Sequence, residues 1–208
     1  MAGPAQPAVS PAPRTSLTTL PNLLGLGRIA ATPVVAGLLL VGFPGSGLIA
    51  FVVFAVAAIS DFVDGRIARA RNQVSRLGVF MDLTADKVLV AGVLVAMVEV
   101  QLLPTWIVAL LLIRELVVQG VRQVAASASL VMPAGPLGKW KTFLTLLGMG
   151  LLMLAFDTQT GGPLQSLGWE AAFLTTGYWI MVVATAFSVA SGWDYVRAAL
   201  PVLTGRRG

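Results

Sequence analysis

Four aspartates fall within a short stretch, in the run Asp61-Phe62-Val63-Asp64-Gly65-Arg66-Ile67-Ala68-Arg69 and then at Asp82 and Asp86, with Gly78 between. Asp61 and Asp64 are three apart, and Gly78, Asp82 and Asp86 are spaced by four, so each group occupies one face of a helix. A turn between two such helices brings the four carboxylates together. Packed closely, they repel one another and raise each other's pKa, and inside a membrane protein they are costly without a compensating charge. One or two divalent cations supply it. Two hard cations can also hold a pyrophosphate, neutralising both the attacked phosphorus and its leaving group. Gly65 and Gly78 leave room between the helices for a ligand, and Arg69 can offer a bidentate fork to phosphate.

Composition narrows the chemistry further. The 208 residues include no histidine and no cysteine, which removes the commonest general base, the commonest transition-metal ligand and all thiolate chemistry. Acid–base and metal work falls to nine carboxylates, helped by fourteen Lys and Arg. Oxygen-only ligation favours Mg²⁺, Mn²⁺ or Ca²⁺. Hydrophobic residues make up 57% and charged residues 11% of the chain, whereas a soluble domain carries about 25% charged residues. The chain therefore belongs to the membrane class. Its net charge of +5 suits anionic headgroups and phosphorylated substrates, not nucleic acid.

The apolar runs predict an all-α, polytopic membrane protein with six transmembrane helices, each span needing about 20 mostly apolar residues. They are expected over Leu26–Val41, from Leu48 toward Ala68, Leu77–Val100, from Pro104 to Ala126, Lys139–Ala155, and from Phe173 through Ala190 toward Tyr195. A Gly-rich polar loop is expected over 157–168, and the Pro- and Ala-rich residues 1–16 read as a disordered cytoplasmic tail ahead of a single catalytic domain, 17–208. With both termini inside, all fourteen basic residues fall on inner segments, and the outer loops keep only Glu99, Asp157 and Glu170. That asymmetry is the one membrane proteins adopt.

The aspartates could instead be solvated loop residues balanced by Arg66, Arg69, Arg71 and Arg76. Eight specified residues in fixed order argue against it. The pattern D-x2-D-G-x2-A-R-x8-G-x3-D-x3-D resembles the signature of the CDP-alcohol phosphotransferase family at every position. The resemblance implies a six-helix membrane fold, a homodimer, and a two-metal site (Mg²⁺ or Mn²⁺) facing the cytoplasm. It also implies that Asp61, Asp64 and Asp82 are metal ligands, and that Asp86 is both ligand and the catalytic base that deprotonates the acceptor hydroxyl. Gly65, Arg69 and Ser75, with Pro21, Asn22, Leu23 and Leu24, would contact the CDP-lipid.

Weaker features concern the acceptor. Thr19-Leu20-Pro21-Asn22-Leu23-Leu24 with Arg28, Asp86-Lys87, Arg114-Glu115-Leu116, Gly138-Lys139-Trp140-Lys141-Thr142 and Ser191-Gly192-Trp193-Asp194-Tyr195 are similar to segments of bacterial phosphatidylglycerophosphate synthases. That likeness implies phosphatidyl transfer from CDP-diacylglycerol to sn-glycerol 3-phosphate at the cell (inner) membrane. A dianionic acceptor wants cations near the metal site, and Arg114, Arg122, Lys139 and Lys141 are the candidates. Arg114 and Glu115 within an apolar run are costly and hence suggestive of function; an interhelical ion pair or a snorkelling side chain is the alternative role of Arg114. Interface anchoring is the alternative for Lys139 and Lys141.

A cardiolipin synthase or a phosphatidylinositol phosphate synthase shares the core motif. A divalent-ion transporter would place its acidic site near the midplane between internal repeats, whereas this cluster stands at one edge and no repeat is visible. The five tryptophans read as interfacial anchors, and Gly148-Met149-Gly150 as a close helix contact.

Overall fold

The computed structural model describes the backbone of residues 20–71, 76–127 and 136–203, and the side chains of residues 23–60, 84–127 and 138–200. Among the described residues, six α-helices follow one another: α1 (Leu20–Val41), α2 (Ser46–Arg71), α3 (Arg76–Glu99), α4 (Thr105–Ser127), α5 (Pro136–Gln159) and α6 (Glu170–Leu203). One short 3-10 turn, Pro163–Leu167, precedes α6. The expected all-helical class holds. The tail over residues 1–16 and Ser75 lie outside the described residues.

Three boundaries differ from expectation. Helix α1 starts at Leu20, so the Pro21–Leu24 segment is helical, and Pro33 sits inside the helix without ending it. Helix α6 runs on past Tyr195. The largest correction is at Asp157, expected in an outer loop but found in the last turn of α5 and fully buried. Its carboxylate accepts the backbone N–H of Leu48 at 3.1 Å and that of Leu164 at 3.1 Å. These amides belong to the first turns of α2 and of the 3-10 turn, where N–H groups have no intrahelical partner. The contact is so close that a Cβ on Gly47 would stand 2.4 Å from the Asp157 amide nitrogen, and one on Gly162 2.3 Å from Asp157 Oδ1. Only glycine fits at either position.

Among the described residues, three helical stretches are long and apolar enough to cross a membrane: Leu23–Val41, Gly138–Gln159 and Glu170–Leu200. Ser46–Ser60 is a shorter apolar stretch. Helix α4 falls short because it carries Arg114, Glu115 and Arg122. Large apolar side chains also cover the outside, with Leu116 71%, Val56 64% and Ile59 63% exposed, which suits a hydrocarbon surrounding and not water.

Packing is uneven around the bundle. α1 lies against α2 and α3, α5 against α2 and α6, and α4 against α6. The core between them is built from Leu39, Leu89, Leu94, Met97, Ile107, Met149, Leu152 and Met153. Gly148 takes Met181 of α6 and Gly150 takes Phe51 of α2, as a close helix contact requires. The turn between α3 and α4 closes with Leu102 N–H on Met97 O (2.9 Å) and Gln101 N–H on Val98 O (3.0 Å), Gln101 adopting the left-handed conformation at φ 59°. Beyond this turn, α3 and α4 touch far less than each touches its other neighbour. A cavity opens where they part.

Candidate active site

Asp61 and Asp64 lie on the continuous helix α2, and Asp82 and Asp86 on the first half of α3. The helical spacing that puts each pair on one face is therefore present in the backbone. The side chains of Asp61, Asp64, Gly65, Arg69 and Asp82, and of Pro21 and Asn22, lie outside the described residues. Among the described residues, no group of three metal-ligating side chains stands together. Leu23 is exposed and Leu24 half-buried on the first turns of α1.

Asp86 is half-buried and lines a cavity of about 460 Å³ between α3, α4 and α5. Lys87, Glu115, Gln119, Lys141 and Thr145 line it too, and Leu94, Leu111 and Leu146 form its apolar part. The order along each helix sorts these two kinds of wall. On α3 and α5 the polar residues come before the apolar ones, and on α4 Glu115 and Gln119 come after Leu111 and Leu112. Because α4 returns alongside α3, the polar groups gather at one end of the cavity and the leucines at the other. Such a space accepts a molecule with an anionic head and an apolar body.

Charges at the polar end are knit together. The Lys141 ammonium pairs with Glu115 Oε2, Arg114 Nη1 donates to the same oxygen at 3.1 Å, and Lys87 Nζ lies 3.7 Å from Glu115 Oε1. Lys87 also donates to Gln119 Oε1 at 2.5 Å. Glu115 and Gln119 are four apart, so one face of α4 presents both to Lys87. Arg114 is turned toward α6: its Nε donates to Ser188 O at 2.9 Å and its Nη2 to Ser191 Oγ at 2.7 Å. Gly192 makes room for the arginine stem, since a Cβ there would meet Arg114 Cγ at 2.9 Å.

Of the four cations expected to serve an acceptor phosphate, Lys141 alone lines this cavity. Arg114 reaches its edge through Glu115 while fastening α4 to α6. Arg122 is exposed, its guanidinium 5.6 Å from the centre of the Tyr195 ring. Lys139 is exposed. Glu115, singled out by its charge in an apolar run, carries no expected role in the site, and Gln119 is not among the expected site residues; their i, i+4 spacing is the signal that pairs them. Arg28 carries a further charge into the protein, being 2% exposed on α1.

Comparison with known proteins identifies the scaffold that carries this cavity. Residues 18–195 match the sequence profile of the CDP-alcohol phosphatidyltransferase family. The chain belongs to that family. It is thus a phosphatidyltransferase, an enzyme of phospholipid synthesis in a membrane. It is similar to the CDP-diacylglycerol-glycerol-3-phosphate 3-phosphatidyltransferase of Bacillus subtilis, with 33% identity over 85% of this chain and 92% of the relative. A protein of the same name from Rickettsia bellii is 36% identical over 76% of this chain and 91% of the relative. The cardiolipin synthase (CMP-forming) of Oryza sativa is 30% identical over 92% of this chain and 60% of the relative. The cavity and its charged end lie wholly inside the matched span.

Proposed function

We propose that this family member transfers the phosphatidyl group of CDP-diacylglycerol to sn-glycerol 3-phosphate, releasing CMP. The observation that carries the reading is one cavity in which the carboxylate of Asp86 and the ammonium of Lys141 both face a space with an apolar far wall. A base and a phosphate-binding cation are what a phosphorylated alcohol needs, and an apolar wall suits a lipid partner. The names of the Bacillus and Rickettsia relatives support the same acceptor.

Asp86 takes the proton from the acceptor hydroxyl, and the oxygen so freed attacks the phosphorus that bears diacylglycerol. The bond to the CMP oxygen breaks as the new ester forms. Lys141 holds the acceptor's phosphate, with Arg114, Arg122 and Lys139 adding positive charge from further out. Gly65, Arg69 and Ser75, with Pro21, Asn22, Leu23 and Leu24, form the side that takes the CDP-lipid. Fixing two reactants in line supplies much of the acceleration for phosphoryl-type transfer.

Asp61, Asp64, Asp82 and Asp86 are the residues that would hold two divalent cations. The donor set fits: it is all carboxylate on two consecutive helices, in a chain without histidine or cysteine, which suits Mg²⁺ or Mn²⁺. Such ions, when bound, neutralise the pyrophosphate and the departing CMP.

Six membrane crossings with both termini in the cytoplasm would put all fourteen cations on one side, the asymmetry that membrane proteins adopt. We place the enzyme in the cell (inner) membrane as a homodimer, with residues 17–208 forming one catalytic domain. The similarity to a cardiolipin synthase supports a second reading, in which phosphatidylglycerol is the acceptor. Purified enzyme given CDP-diacylglycerol with each alcohol in turn decides between them. CMP release with sn-glycerol 3-phosphate and not with phosphatidylglycerol is the expected result; the reverse pattern removes the first reading.

A further inference from the structure

Among the described residues, Glu115 is the one carboxylate at the polar end of the cavity to which the proposed reaction gives no task. Its carboxylate gathers cations from three helices: Lys87 of α3, Arg114 of α4 and Lys141 of α5. Two of these have other commitments. Arg114 spends two donors on Ser188 and Ser191 of α6, and Lys87 is bound to Gln119. The Lys141 side chain is 14% exposed, and its ammonium is held by Glu115 at the cavity wall. The anion seated on this lysine is therefore part of the chain itself.

A phosphomonoester entering the cavity brings up to two negative charges beside that carboxylate. Like charges at one end of a cavity repel, and an anion already paired with Lys141 opposes a second anion there. Without Glu115, Asp86 would be the one described carboxylate left at this end beside three half-buried cations, a costly arrangement in the empty enzyme. Glu115 thus serves the empty site and opposes the filled one.

We infer that Glu115 tunes the hold on the acceptor, as a resident anion that competes with the acceptor's phosphate for Lys141. It weakens the hold on the phosphorylated acceptor and on the product, which keeps that phosphate, and it returns to Lys141 as the product leaves. The inference rests on the reading in which Lys141 receives the acceptor phosphate.

Glu115→Gln removes the charge and keeps the shape. The KM for sn-glycerol 3-phosphate should fall by about three- to ten-fold, the size of one weakened charge pair near a wet cavity mouth. The KM for CDP-diacylglycerol should not change. Inorganic phosphate, added to the purified protein in detergent without substrate, should raise the thermal midpoint of Glu115→Gln more than that of the wild type. A purely structural role would lower the midpoint and leave both anion responses as they were. Glu115→Asp, whose carboxylate is drawn back by one methylene, should shift both readouts in the same direction by less, and it decides the matter should the glutamine variant not fold. An acceptor KM that is unchanged or higher in the folded variants, with no gain in the phosphate response, overturns the inference. Wild type that is inert toward glycerol 3-phosphate would instead remove the acceptor reading, and the phosphate response would still judge Glu115.

Discussion

The carboxylate of Asp157 accepts the amide proton of Leu48 at 3.1 Å, tying the last turn of α5 to the first turn of α2 across 109 residues of sequence. Its second oxygen accepts Leu164 N–H, so one buried side chain satisfies donors at two helix starts. Asp157→Asn keeps one acceptor and strands the other amide. A buried unsatisfied donor costs about 1–3 kcal/mol, and unfolding followed by tryptophan fluorescence should show a loss of that order. Gly47→Ala should cost more, because its Cβ would fall 2.4 Å from backbone nitrogen that cannot swing aside. Wild-type stability in both variants would mean the junction does not hold α2.

Arg114 offers a second test of what joins the bundle. Its bonds to Ser188 O and Ser191 Oγ pull α4 onto α6, and Gly192 leaves space for its stem. Hydrogen bonds to charged groups contribute about 1.5–3 kcal/mol, so Ser191→Ala and Gly192→Ala should each lower the thermal midpoint. Arg114→Lys keeps the charge and loses the fork that reaches both partners. Combined with Ser191→Ala, its effect should be well short of the sum of the two single losses, since both remove one interaction. Strict additivity would separate Arg114 from Ser191.

What could be read in advance followed the range of the interactions. The aspartate motif was visible because its spacings are local, and helices α2 and α3 run unbroken through it. Arg114 and Glu115 stood out because charge in an apolar run is visible within a few residues. Their partners did not: Ser188 and Ser191 lie 74 and 77 residues beyond Arg114, and Lys141 is 26 beyond Glu115. The place of Asp157 is hidden for the same reason, since Leu48 lies 109 residues away. The glycines that follow it resemble a loop signal, while the Leu48 amide that fixes it carries no side-chain signature at all.

Asp86 is the carboxylate whose removal should stop chemistry without unfolding the protein. It is half-buried at a cavity wall and lies outside the apolar core. A positioned general base contributes about 10²–10⁴-fold, so CMP release by Asp86→Asn should fall at least about 100-fold. The thermal midpoint should stay near that of the wild type. Turnover within a few-fold of wild type would remove Asp86 from the role of base.

Divalent ions should be visible in stability as well as rate. A ligand that binds only the folded state raises its stability with concentration. Mg²⁺ or Mn²⁺ added to chelator-treated protein should therefore raise the thermal midpoint and restore CMP release. Asp61→Asn and Asp82→Asn should blunt both responses. An unchanged midpoint across millimolar Mg²⁺ and Mn²⁺, with full activity in excess chelator, would dismiss the metal site.

Lys139 and Lys141 stand two positions apart near the start of α5, a turn of about 200° around the helix axis at 3.6 residues per turn. The geometry makes them unequal: Lys141 lines the cavity and pairs with Glu115, whereas Lys139 is exposed. If Lys141 receives the acceptor phosphate, Lys141→Gln loses a charge-assisted bond, and the KM for glycerol 3-phosphate should rise about ten- to hundred-fold. Lys139→Gln should change it by no more than about two-fold, the scale of an exposed charge. The KM for CDP-diacylglycerol should stay level in both, because neither lysine is assigned to that substrate. Equal effects from the two substitutions would mean that the acceptor responds to the charge of the helix start as a whole, and the cavity would lose its claim to the phosphate.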